Sequence, residues 1–225
     1  MNIPFDKVYC ISYCRNIEKQ NNIRKLMKYL NIDFEFIYGA DYSNLEILKH
    51  DDFRFFGENV KQNFSNNETF RKRYTHFIGA SYDHYTAIIN AYESGANSVL
   101  ILEDDCAFIN NLKYIEWAFS NYPEDADIVK FGFYSLERIE EKYRLLSKKF
   151  IQNNTDFYYL GSQLYSICNR NTMEKYISIQ EKSISCCDYM FNKINCNYYI
   201  LIDPLFIDIE KHTEYDNYDL LEHIK

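Results

Sequence analysis

The run Ser98-Val99-Leu100-Ile101-Leu102 passes without a spacer into Glu103-Asp104-Asp105, and no other stretch constrains the fold as much. A short apolar segment carrying Val and Ile reads as a buried strand. Side chains alternate along an extended chain, so Glu103 and Asp105 are expected to project together and Asp104 to the opposite side. Open α/β sheets bind ligands outside the carboxyl ends of their strands, and hard divalent cations take oxygen donors. The junction therefore fits a metal-assisted site for phosphates; it also fits an acidic turn after a core strand.

Upstream of this strand, Val8 to Tyr13 reads as a first strand, with Asn16 as a helix cap. Ile23, Leu26, Met27 and Leu30 then follow at helical spacing, with Asn31 as the stop. Phe34 to Tyr38 is a second strand, closed by a turn at Gly39-Ala40-Asp41. Strand, helix and strand over this length make a βαβ unit with a parallel pair. From Ser43 to Thr75 the periodicity fades, which predicts an insertion or flap with short helical pieces. Phe77 to Ser94 predicts a helix closed by Gly95. One stripe is Ile78, Tyr82, Tyr85, Ile89 and Tyr92; a second, mostly of small residues, is Ala80, His84, Ala87 and Ala91. Such a helix belongs against the sheet.

Beyond the acids, Tyr114 to Phe119 predicts a helix and Ile128 to Phe133 a strand, and Glu137 to Lys149 reads as a solvated charged segment. Gly161-Ser162 precedes a strand at Leu164 to Cys168 and lets backbone approach a ligand closely. Asn171 is expected to cap a helix carrying Met173, Tyr176 and Ile177. A short helix from Cys187 to Ile194 and a strand from Tyr198 to Ile202 follow, and the tail from His212 is acidic and tyrosine-rich. One domain over 1–225 is expected, with 1–105 and 106–225 as its two halves.

Composition narrows the function. A net charge of −8 argues against a sequence-independent nucleic-acid binder, although Arg71-Lys72-Arg73 is a local basic cluster. The seven cysteines form no paired zinc framework; Cys10 and Cys106 look like buried thiols, and Cys186-Cys187 are adjacent. A reducing compartment is expected. Met1 to Asp6 lacks the regions of a signal peptide, and no run approaches the roughly 18 apolar residues of a membrane span. A soluble cytoplasmic protein is expected, with peripheral membrane contact left open.

In order along the chain, Ile11-Ser12-Tyr13-Cys14-Arg15, Gly79-Ala80 with His84, Leu100 to Asp105, and Gly161-Ser162 with Tyr165 and Asp188 resemble glycosyltransferase family 25. That family holds bacterial lipooligosaccharide galactosyltransferases and collagen hydroxylysine galactosyltransferases. The family usually has Ile-Asn-Leu where this chain has Ile11-Ser12-Tyr13, and Gly-Cys and Ser-His where Ala80 and Asp83 stand. The resemblance implies an α/β chain of GT-A type, with a Rossmann-like, mostly parallel central sheet and helices on both faces. It implies inverting transfer of a hexose, chiefly galactose from UDP-galactose, to a saccharide or hydroxylated side-chain acceptor, with Mn²⁺ or Mg²⁺ as cofactor.

By that resemblance Asp105 is the main metal ligand, and Glu103 faces the metal or the donor ribose. His212 is a candidate to complete the metal shell from the tail. Ile11, Ser12 and Arg15 lie where the nucleotide would lie, and the forked Arg15 guanidinium suits pyrophosphate or base. Asp41 would contact uridine or ribose, unless it is an ordinary turn residue. Asp104 belongs with the donor-binding group or braces the following loop. His84 is either site-facing or a hydrogen-bonded core histidine. Gly161 and Ser162 fall in the acceptor region. Asp188 is the candidate general base, with helix capping as its other reading. Two competitors remain: a degenerate nucleotide-sugar-binding domain of the same fold, and an aspartate-based phosphotransfer domain, which normally carries its acid pair at the first strand.

Overall fold

The acid-terminated run is a strand in the middle of a mixed seven-stranded sheet. The computed structural model describes residues 1, 3–39, 68–108, 111–132, 149–152, 163–182, 190–191, 193–203 and 205–208. Along the chain these form β1 (Lys7–Tyr13), α1 (Ile17–Leu30), β2 (Glu35–Gly39), α2 (Glu68–Glu93), β3 (Val99–Glu103), β4 (Cys106–Phe108) and α3 (Leu112–Ser120). They continue as β5 (Ile128–Lys130), β6 (Phe150–Gln152), β7 (Leu164–Ile167), α4 (Arg170–Lys182), β8 (Tyr198–Leu201) and β9 (Phe206–Asp208).

The large sheet has the order β2-β1-β3-β7-β5-β8-β6, and β4 pairs with β9 in a separate antiparallel ribbon. The expected parallel βαβ unit is present, with Tyr9 opposite Glu35 and Ile11 opposite Ile37. β1 also pairs in parallel with β3, placing Ile11 beside Glu103. The expectation of a mostly parallel sheet describes this β2-β1-β3 half. Further on, β7 runs antiparallel to both β3 and β5, and β6 antiparallel to β8, while β5 and β8 are parallel.

Helices cover both faces, because alternate residues of each buried strand point to opposite sides. Leu100 and Leu102 pack with Ile23, Leu26, Met27 and Leu30 of α1 and with Ile115 and Phe119 of α3. Val99 and Ile101 pack with Ala87, Ile88 and Ala91 of α2 and with Met173 and Tyr176 of α4. On α2, His84, Ala87 and Ala91 of the small-residue stripe are buried, whereas Ala80, Tyr82, Tyr85, Ile89 and Tyr92 are half-buried. Small side chains let the helix backbone lie close to the sheet and leave the aromatic rings to fill its flanks.

Local signals set most helix ends. Asn31 adopts the left-handed conformation (φ 51°), and the amides of Asn31 and Ile32 bond back to Lys28 and Met27. Gly95 (φ 84°) closes α2 in the same way, with Gly95 N bonding Tyr92 O and Ala96 N bonding Ala91 O. Other expectations need correction. Helix α2 starts at Glu68, not near Phe77; Glu, Arg and Lys are good helix formers, so the helix extends past the end of its apolar stripe. The cap of α4 is Asn169, whose Oδ1 accepts from Thr172 N at 2.9 Å, and not Asn171. The strand expected to reach Phe133 ends at Lys130, since the amides of Phe131 and Gly132 both turn to Leu164 O, a bulge-like break in the ladder.

Candidate functional site

From β1 the chain turns to β2 on one side, through α1 on one face, and α2 on the other face leads into β3 on the opposite side. The carboxyl ends of β1 and β3 thus flank a topological switch point, where open α/β sheets bind ligands. Strand alternation carries Glu103, the last residue of β3, to the α2 face, and Asp104 meets Asn16 on the α1 face. The alternation ends at Glu103, because residues 104 and 105 lie in a turn.

On the α1 face, Ser12 Oγ donates to Asp104 Oδ2 at 2.5 Å and Asn16 Nδ2 donates to the same oxygen at 3.3 Å. Asn16 stands at the amino end of α1 but makes no capping bond with its side chain, which is committed to Asp104. Asp104 therefore braces the β1 exit loop across 92 residues of sequence. Burial pushes its carboxyl up from the usual range, opposed by the Ser12 and Asn16 bonds and by the charge of Lys19. Arg15 is exposed in the same loop, and Ile11 packs in the apolar layer beneath α2.

On the α2 face, His84 is 2% exposed and Glu103 24%. His84 Nε2 lies 3.1 Å from Glu103 Oε1, and its Nδ1 lies 3.0 Å from Tyr165 Oη on β7. With a neutral imidazole, Tyr165 donates to Nδ1 and Nε2–H donates to the carboxylate, so both ring nitrogens are satisfied. His84 is thus a hydrogen-bonded core histidine whose Nε2 meets the last residue of the acid strand. Next to it, Asp83 is 5% exposed and abuts Gly39 at the end of β2 so closely that a Cβ on Gly39 would run into the carboxylate.

Asp105 is half-buried, with Oδ1 closed off from solvent. Cys10 and Cys106 are buried free thiols, as expected, and burial followed by the neighbouring acids pushes both well above the ordinary thiol range. Glu103 N and Cys106 Sγ both donate to Gln163 O, at 3.0 and 2.9 Å, so the start of β7 is tied to the end of β3. Asp41, Gly161, Ser162, Asp188 and His212 lie outside the described residues, as do Cys186 and Cys187. Among the described residues no three His, Cys, Asp or Glu side chains form a metal-ligand group.

Three residues at or beside this edge carried no site role in the sequence reading: Tyr165, Gln163 and Lys130. Lys130 is fully buried and sits opposite Tyr165 in the ladder. Its signal was available, since a lysine inside the apolar run Ile128-Val129-Lys130-Phe131 needs a polar environment.

No protein-family model matches the sequence, and no curated protein matches it either. Among solved structures, a glycosyltransferase involved in the glycosylation of the major capsid of PBCV-1 superposes with a TM-score of 0.50. The match is 9% identical and covers 95% of this chain and 97% of that one. The chain shares the fold of that glycosyltransferase. Its GT-A-like sheet carries the acid turn at the β1/β3 switch point. Among the described residues, no helix of this fold is long and apolar enough to cross a membrane.

Proposed function

We propose that the chain is a metal-dependent inverting glycosyltransferase, related to family 25, that moves galactose from UDP-galactose to a saccharide or hydroxylated side chain. The observation that carries this reading is the acid-terminated β3 at the switch point of a glycosyltransferase fold, with Glu103 and Asp104 each held by a separate set of partners. The donor set is carboxylate oxygen, which suits Mn²⁺ or Mg²⁺. Such ions are commonly held by one or two carboxylates with substrate phosphates completing the shell, so a third protein ligand is not required. Asp105 and Glu103 would hold the cation, with His212 from the tail as a further candidate. When bound, it neutralises charge that grows on the departing diphosphate.

The chain's own residues prepare that site. Tyr165 and His84 fix Glu103, and Ser12, Asn16 and Asp104 fix the β1 exit loop where the nucleotide would lie, with Arg15 beside it. Asp188 remains the candidate base for the acceptor hydroxyl, and Gly161-Ser162 the acceptor-side backbone. The test is donor turnover with Mn²⁺ in the wild type and in Asp105→Asn. Loss of about a hundredfold or more is expected for removal of a transition-state electrostatic contact; equal turnover in the two rejects Asp105 as the ligand.

A further inference from the structure

The ladder between β3 and β7 places Leu102 opposite Leu164, and the bond from Glu103 N to Gln163 O extends it by one residue. Gln163 is therefore the direct cross-strand neighbour of Glu103, with side chains on the same face and Cβ atoms about 5 Å apart by standard sheet geometry. Gln163 is 2% exposed, and its Oε1 and Nε2 are both buried with no hydrogen-bond partner among the described residues. An unpaired buried amide costs roughly 1–3 kcal/mol per lost bond, and native cores pair such groups almost without exception. An apolar side chain of equal length would carry no such cost.

We propose that Gln163 is a sugar-binding residue whose carboxamide, side by side with Glu103, holds a hexose hydroxyl; this deepens the transferase reading and rests on it. The chemistry matches: a hydroxyl both donates and accepts, an amide offers both partners, and the neighbouring carboxylate accepts only. Position adds to this. β7 lies beyond β3, on the side of the acid strand away from β1 and β2, so Gln163 flanks the same sheet edge as the acids.

The experiment compares wild type, Gln163→Met and Gln163→Leu by thermal unfolding and by calorimetric titration with UDP, UDP-galactose and lactose in the presence of Mn²⁺. Removing the unpaired amide is expected to raise Tm by about 2–12 °C. Affinity for UDP should hold while UDP-galactose binds about tenfold more weakly, which assigns the amide to the donor sugar. Weaker lactose binding with UDP-galactose unchanged assigns it to the acceptor sugar and equally supports the proposal. A fall in Tm in both variants would show the amide to be a structural hydrogen-bonding group, and unchanged affinities for both sugars would show that no sugar touches it; either overturns the proposal. Failure of the wild type to bind UDP or UDP-galactose at all is a separate result, and it rejects the transferase reading itself.

Discussion

Replacing Gly39 by alanine is expected to destabilise the protein through a single neighbour, Asp83. Gly39 has no left-handed φ, so alanine strains no backbone there; among the described residues that conformation belongs only to Gly95 and Asn31. The obstacle is steric. The three atoms nearest a Cβ at position 39 are Oδ2, Cγ and Oδ1 of Asp83, and that side chain is 5% exposed on the sheet-facing side of α2. Overpacking of this kind costs about 1–3 kcal/mol. At about 2–4 °C per kcal/mol for a chain of this size, Tm should fall by roughly 2–12 °C. In an Asp83→Ala background all three obstructing atoms are gone. Gly39→Ala should then stabilise by about 0.4–1 kcal/mol, because it restricts the unfolded chain. The double-mutant cycle, read from urea midpoints, should thus show a coupling of about 1.4–4 kcal/mol. A Gly39→Ala cost that is the same with and without the Asp83 carboxylate would refute the close approach.

Thiol chemistry and core packing offer three further checks. Burial pushes the Cys168 thiol up to about 11, so about one molecule in a thousand carries the thiolate at pH 8. Brief alkylation at that pH, followed by peptide mass spectrometry, should label exposed Cys14 and spare Cys10, Cys106 and Cys168. Because the folded state holds the Cys168 proton more tightly than the unfolded chain does, its contribution is complete below the ordinary value of 9 and is lost as pH rises through about 11. The urea midpoint of the wild type should therefore fall faster over that window than that of Cys168→Ala. Phe119 is 1% exposed and meets Phe5 and Phe131 edge-on, with ring centroids at 5.8 and 5.1 Å. Phe119→Ala should cost about 3–5 kcal/mol in chemical denaturation; a loss below about 1 kcal/mol would mean the ring is not a core anchor.

Much of the amino-terminal half was legible because its signals are local. The α1 apolar spacing, Asn31 and Gly95 as left-handed helix stops, and the apolar β3 run each act within a few residues of themselves. What escaped was set by distant partners. Strands β4, β6 and β9, three residues each, carry no period of their own and exist through pairing with chain far away in sequence. Asn169 and Asn171 are equally good caps by composition, and Asn169 is the one whose amide is also fixed by Asp127, at 2.6 Å.

The same division runs through the candidate site. By itself the sequence determined that a buried strand delivers acids to a sheet edge, since an apolar run followed at once by charge has few other stable arrangements. Only the tertiary structure decided what each acid does there. Glu103 meets His84 and, through it, Tyr165, 81 residues from His84, while Asp104 is claimed by Ser12 and Asn16 on the other face. The end of β3 and the turn after it separate two adjacent carboxylates onto opposite faces, and the identity of the helix or strand packed on each face then sets their partners. That choice is made by packing between elements far apart in the chain, and no local pattern of residues carries it.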